Sequence, residues 1–273
     1  MTEKAPVSVA IPCFRCDETI VRAVESVVGQ ALPPMEILLV EDGSDDEGKT
    51  LDALYNLQSK YVDSAIKVIS LDRNSGAAAA RNRGWDEATQ PYIAFLDADD
   101  TWHPEKLRIQ YEYMCRNPEV VISGHQCMWL RDGEIPSNTH TPLILITTVI
   151  KPVSLVFKNC FSTPTVMLRR NIPFRFSDIK RYCEDVYLWQ QIAFSGRLVI
   201  RIESQLAYIH KAPYGEGGLS AQLWEMEKGE LSNFVALYRA GSINWLLFIA
   251  ATGFSISKYV KRLGVTWINR AAC

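Results

Sequence analysis

Residues 92–100 read Tyr-Ile-Ala-Phe-Leu-Asp-Ala-Asp-Asp. The apolar run Tyr92 to Leu96 has no polar alternation, which is how a strand buried on both faces reads. It empties directly into Asp97, Asp99 and Asp100. Working outward, the same grammar recurs. Val7 to Ile11 is a short β-branched run ended by Pro12, and Glu36 to Val40 runs into the acidic cluster Glu41-Asp42-Gly43-Ser44-Asp45-Asp46. Ile66 to Leu71 is a further strand, followed by Asp72 to Gly76. Between the strands, helical stripes are predicted over Glu18 to Val28, with Asp17 or Thr19 as caps, then over about Gly48 to Lys60 and Ala77 to Ala88. Strands alternating with helices predict an α/β fold: a Rossmann-like, mostly parallel sheet flanked by helices. In such sheets ligands sit beyond the carboxyl ends of the strands, and here carboxylates accumulate on that edge.

The second half is less regular. Pro104 to Arg116 and Glu184 to Phe194 read as helices, Val120 to Leu130 and Leu198 to Tyr208 as strands, and Arg131 to Pro142 as a polar loop. Gly215, Gly217 and Gly218 mark a loop before a helical carboxyl-terminal extension, from about Ser220 to Arg270. The expected division is a first domain over 1–219, in two halves that meet at about 103–104, then a helical tail over 220–273.

Composition is that of a globular chain: 273 residues, 48% hydrophobic and 22% charged, which excludes wholesale disorder. A formal charge of -2 lacks the basic excess of a dedicated nucleic-acid binder. Seven scattered Cys fit a reducing compartment and no disulfide framework, and no signal peptide is visible over Met1 to Pro6, so a cytoplasmic location is expected. Cys13-Phe14-Arg15-Cys16 forms a C-x-x-C, but no second Cys or His pair is near enough in sequence to complete a zinc site, and Cys13 reads as core.

Two carboxylates at i and i+2 in a turn, Asp97 and Asp99, can converge on one divalent cation and the sugar-phosphate it carries; oxygen ligands of this kind suit Mn2+ or Mg2+. An acidic turn capping the helix near Pro104 fits the same residues. Asn74-Ser75-Gly76 followed by Arg81-Asn82-Arg83-Gly84 sets a glycine-bearing loop before a small-residue helix, with guanidinium groups for a phosphate or a base. Cys183-Glu184-Asp185 opens a helix, where a carboxylate serves as cap or as general base.

Taken in order, these residues resemble glycosyltransferase family 2, inverting enzymes of the GT-A nucleotide-sugar fold. Val7-Ser8-Val9-Ala10-Ile11-Pro12 looks like the family's opening V-S-V-I-I-P, and Glu41-Asp42-Gly43-Ser44-Asp45-Asp46 is similar to its D-D-G-S-x-D. Asn74-x-Gly76 with Ala80-Arg81-Asn82-x-Gly84 resembles its N-x-G-x-x-x-A-R-N-x-G. Asp97-Ala98-Asp99-Asp100 with Pro104-Glu105-Lys106-Leu107 looks like its D-x-D-D and P-x-K-L, and Glu184-Asp185-Val186-Tyr187-Leu188-Trp189 is similar to its E-D-x-x-L-W. The resemblance implies that Pro12 and Phe14 line a nucleobase pocket and that Asp42 accepts from the imide N–H of uracil. It puts Gly76 and Arg81 near the base and diphosphate, Asp97 and Ala98 at the ribose or sugar, and Asp99 with Asp97 on the metal. Asp185 is the implied base that deprotonates an acceptor hydroxyl, beside Glu184.

Two departures stand out: Glu41 replaces the usual Asp, and His210 or Lys211 lies near the place of a phosphate-contacting Arg. The implied partners are a nucleotide-sugar donor and a glycan or polyprenyl-linked acceptor, in bacterial surface polysaccharide synthesis. A nucleotide-sugar-binding module without turnover has no need of Asp185, and a nucleotidyltransferase would want a Gly-rich loop where Pro12-Cys13-Phe14-Arg15 stands. In the tail, polar residues dilute the longest uncharged stretch below a membrane span. Trp245, Phe248, Phe254, Tyr259 and Trp267 with Lys258, Lys261, Arg262 and Arg270 have the content of a helix lying on an anionic membrane, peripheral at the inner face. A helix packed on the catalytic domain or on a second subunit of a homo-oligomer fits equally.

Overall fold

The computed structural model describes residues 3–130, 134, 145–210 and 222–271. The first third alternates as the sequence pattern predicts: β1 (Ala5–Cys13), α1 (Ile20–Val28), β2 (Pro34–Glu41), α2 (Lys49–Lys60), β3 (Ile66–Ser70), α3 (Ala77–Glu87) and β4 (Tyr92–Phe95). The rest comprises β5 (Thr101–Trp102), α4 (Lys106–Arg116), β6 (Val120–Trp129), β7 (Thr147–Val149), α5 (Pro152–Phe157), β8 (Met167–Arg169), α6 (Glu184–Phe194), β9 (Leu198–Ile209), α7 (Leu223–Arg239) and α8 (Trp245–Ala271).

One sheet runs β3-β2-β1-β4-β8-β6-β9-β5, with β7 paired to β9. The strands β3, β2, β1 and β4 are parallel, with Ile11 opposite Leu39 and Val9 opposite Ala94. Beyond β4 the sheet turns mixed: β8 is antiparallel to β4 and to β6, whereas β9 runs parallel to β6. The period of two along a strand sorts the core into two layers. From β1 and β2, Val7, Val9, Ile11, Ile37 and Leu39 join α1, α2 and α4 on one face. Ala10, Leu38 and Val40 join α3, α5 and α6 on the other. Both faces are therefore buried, which is why the strands read as continuous apolar runs. Cys13 is fully buried among the first set, as its position after an apolar run predicts.

The tail is two helices. Gly241, at φ 69, takes the left-handed position after α7, and the Ser242 N–H returns to the Leu237 carbonyl at 2.9 Å. The chain reverses there, and α8 packs back on α7 and α5 through Phe234, Ala251 and Val156. No helix of the described residues is long and apolar enough to cross a membrane.

Candidate active site

The carboxyl ends of β1, β2 and β4 converge on one edge. Pro12 does not end β1 but lies within it, opposite Val40; the chain turns after Cys13, and the Phe14 ring stands 41% exposed with the Arg15 guanidinium carbon 5.3 Å from its centroid. The Asp42 N–H donates to the Cys13 carbonyl at 2.8 Å and the Arg15 N–H to Ser44 Oγ at 3.0 Å, so the loops after β1 and β2 are laced together. The Asp42 carboxylate accepts the Ser75 and Gly76 N–H groups, both at 2.8 Å. Burial raises its pKa, opposed by those two bonds. Asp42 thus clamps the loop that enters α3, where Gly76 takes φ 91, a conformation open to glycine. Glu41 has a local use: its longer side chain curls back to accept from the Gly43 and Ser44 N–H groups and from Ser70 Oγ, closing its own loop onto β3.

Arg81 on α3 is the hub. It is 6% exposed, donates to Asp97 at 2.7 Å and to Glu184 at 3.1 Å, and lies with its guanidinium carbon 5.5 Å from the Phe176 ring centroid. Burial would lower its pKa, but Asp97, Glu184 and Asp185 outweigh that and hold it above its ordinary value. Its charge is engaged by carboxylates from the two halves of the chain, so it joins the turn after β4 to the start of α6.

The turn after β4 is held from behind. Arg22 on α1 donates to the Asp99 carbonyl at 2.8 Å, and Asp100, 4% exposed, accepts the His210 N–H at 3.3 Å. His210 also meets Thr101 Oγ1 at 2.8 Å, so the end of β9 lies against this turn. Ala98 is buried beneath it. Helix α4 begins only at Lys106, with Glu105 as N-cap and no side-chain cap bond, so Asp97 to Asp100 do not cap it. Asp97 remains 30% exposed while bound to Arg81. Among the described residues no group of three or more His, Cys, Asp or Glu is placed to hold an ion. One or two carboxylates from one turn fit Mg2+ or Mn2+ that arrives with a diphosphate, whose oxygens and water complete the coordination.

Asp185 lies in the first turn of α6, its Oδ2 accepting from Thr163 Oγ1 at 3.2 Å and its Oδ1 from the Val186 N–H at 2.7 Å. Burial pushes its pKa up against the pull of Arg81. Glu184 is pushed up to about 7, by burial first and then by the Asp185 charge, with Arg81 opposing. A carboxylate with raised pKa beside a solvent-facing edge is suited to take a proton near neutrality.

The structure thus gathers Asp97, Glu184 and Asp185 around the Arg81 guanidinium, with Asp99 on the adjoining turn and His210, at the end of β9, against that turn; Pro12, Phe14, Asp42 and Gly76 lie along the neighbouring strand ends. Lys211 lies outside the described residues. Sequence reading missed Arg22 and Thr163, because a helix-face Arg and a Thr in an irregular stretch carry no local signal of the partners that topology brings to them. In the tail, several of the aromatic and basic set have partners within the chain: Phe248 stacks on Tyr238, Phe254 meets Phe157, Tyr259 meets Trp224, and Lys258 pairs with Glu230 at 2.7 Å. Trp245 of the expected set stays exposed, on the apolar side of α8 that also carries Leu246, Ile249, Ile256, Val260 and Leu263, and Phe254 is exposed in part; the side chains of Trp267 and Arg270 lie outside the described residues.

Residues 8–177 match the family model described as Glycosyl transferase family 2. TuaG of Bacillus subtilis, described as a teichuronic acid biosynthesis glycosyltransferase, is 42% identical over 144 residues, 52% of this chain and 56% of TuaG. The chain thus spans little more than half of that relative. The Escherichia coli UDP-Glc:alpha-D-GlcNAc-diphosphoundecaprenol beta-1,3-glucosyltransferase WfgD is 31% identical over 195 residues, 68% of this chain and 69% of WfgD. Among solved structures, the mannosyltransferase PcManGT from Pyrobaculum calidifontis, in complex with GDP-Man and Mn2+, superposes with TM-score 0.69 at 16% identity, covering 98% of this chain and 76% of that one.

Proposed function

This chain belongs to glycosyl transferase family 2, with a GT-A type fold, and we propose that it moves a hexosyl or N-acetylhexosaminyl group from a UDP-sugar to a hydroxyl of a lipid-linked glycan, with inversion. The observation that carries the reading is the Arg81 bridge, which brings Asp97 after β4 and the Glu184-Asp185 pair of α6 into one charge cluster at the strand ends. Phe14 offers a ring face for a nucleobase, and Asp42 keeps lone pairs for an imide N–H after binding its loop. The name of WfgD supports the choice of uridine and of a diphosphoundecaprenol-linked acceptor.

The chemistry follows from charge. As the acceptor oxygen attacks the anomeric carbon, its proton passes to the Asp185 carboxylate, the bond to the diphosphate breaks on the opposite face, and one displacement inverts the centre. Thr163 orients the Asp185 oxygen, and Arg81 keeps neighbouring carboxylates from repelling it into protonation. Asp99 and Asp97 would hold a divalent cation, which would supply positive charge to neutralise the departing diphosphate. A lipid-linked acceptor places the enzyme against the cytoplasmic face of the membrane, and the exposed apolar stripe of α8 is the surface that supports contact there.

A panel of nucleotide-sugars with a polyprenyl-diphosphate-linked acceptor, read by product mass and anomeric configuration, tests the reading. Transfer is expected from a UDP-sugar with inverted configuration. Asp185→Asn should retain donor binding within a few-fold and lose transfer by about 10²-fold or more. Near wild-type turnover of that folded variant would assign the base elsewhere.

A further inference from the structure

The residue before the Glu184-Asp185 pair is Cys183, a non-glycine residue at φ 55 and ψ 27. A left-handed backbone at a residue with a Cβ persists only where its surroundings hold it. The holder is α7, a helix that follows the 8–177 segment and carries none of the residues expected at the site. Asn233, fully buried, donates its Nδ2 to the Cys183 carbonyl at 2.9 Å. The same carbonyl accepts the Tyr187 N–H at 3.1 Å, the first turn of α6, so Asn233 shares the bond that starts the helix bearing Asp185. Four residues earlier, Gly229 lets the Tyr182 carbonyl press against α7: a Cβ there would stand 2.8 Å from that oxygen. One further turn back, the Met226 carbonyl accepts from Cys183 Sγ at 3.5 Å. Met226, Gly229 and Asn233 are spaced i, i+3 and i+7, one face of one helix. All three of these contacts land on residues 182–183.

We propose that this face of α7 is a positioning element for the general base: Asn233 and Gly229 seat the Tyr182-Cys183 turn and thereby aim Asp185. The inference rests on the assignment of Asp185 as base. It explains why a buried Asn is tolerated on α7 with its own Oδ1 lacking a partner, since its amide N–H group is the one put to use.

Gly229→Ala and Asn233→Ala test it in the full chain. Ala favours helix over Gly, so a role confined to α7 predicts an unchanged or higher Tm and unchanged kinetics for Gly229→Ala. Positioning predicts that both variants keep UDP affinity and donor KM within about two-fold and lose kcat by roughly 10- to 100-fold, the scale of a misplacement near 1 Å. It also predicts that the acid limb of the kcat–pH profile moves, because Asp185 shifts relative to Thr163 and Arg81. Asp185→Asn runs alongside. If it loses transfer while Gly229→Ala and Asn233→Ala keep wild-type kcat and pH limb, the positioning role is wrong and the base assignment stands. If Asp185→Asn keeps its turnover, the base assignment fails and this inference falls with it. Parallel loss of Tm and UDP affinity in both α7 variants would also overturn it, by showing a general packing role.

Discussion

Replacing Arg81 by Met removes a cation that faces Asp97, Glu184 and Asp185 at the same time. The wild-type pairs are short, 2.7 and 3.1 Å, and the Arg81 and Glu184 side chains are 7% and 10% exposed, so solvent cannot take over the role of the guanidinium. Breaking a buried pair by removing one partner typically costs about 3–5 kcal/mol, against a total stability of about 5–15 kcal/mol for a domain. The cost must depend on pH. Glu184 titrates at about 7 in the folded chain, above its ordinary value, so the folded state binds more protons than the unfolded state between those two values and stability falls as pH rises through that window. Without Arg81 the Glu184 pKa rises further, and the fall extends to higher pH. Urea unfolding at pH 5.5 and pH 8 is the assay, with the midpoint compared at constant m. Arg81→Met should lose about 3 kcal/mol or more at pH 8 and markedly less at pH 5.5, where Glu184 is protonated. Adding Glu184→Gln should recover part of the pH 8 loss. A cost below about 1 kcal/mol at pH 8, or one equal at both pH values, would refute the view of Arg81 as the counter-ion that lets this cluster exist.

Three further outcomes are expected. The thermal shift given by a UDP-sugar plus Mn2+ should exceed that with chelator, and Asp99→Ala should remove the difference; equal shifts in the wild type would count against a cation at Asp97 and Asp99. Because a base is inactive when protonated, kcat/KM should fall as pH drops, with an acid limb above the ordinary carboxyl range, since burial raises the Asp185 pKa; Thr163→Val should move that limb further up by removing a hydrogen bond to the charged carboxylate. Co-sedimentation with vesicles should depend on the outward stripe of α8. Replacing Ile249, Ile256 and Val260 by Ser should release the chain, and should do so more than added salt, which screens only the charge attraction of the exposed basic residues. Binding abolished by salt and unaffected by the Ser variant would reverse that assignment.

The alternation β1-α1-β2-α2-β3-α3-β4 is legible in the sequence because it is governed by local period. Strands buried on both faces must be apolar without interruption, and helices between them must show one apolar stripe. The carboxylates after β2 and β4, and the pair opening α6, are legible for a related reason: a sheet with parallel strands exposes its strand ends at one edge, so polar residues there are free of packing demands. What these carboxylates meet was decided by the tertiary structure. Arg81 and Glu184 are 103 residues apart in sequence. The mixed half of the sheet, beginning with the antiparallel β8 against β4, leads the chain to α6 beside α3, and no short-range pattern encodes that insertion. The same holds for Glu41, whose extra methylene makes sense only once Ser70 lies beside it, and for Asn233, a polar residue in a helix whose partner is a carbonyl 50 residues away. In α8 the composition suggested a surface, but which side faces out was set by the reversal at Gly241 and the docking on α7. Periodicity reports how a segment is buried; the identity of its partner is a long-range choice made by the packing of the whole chain.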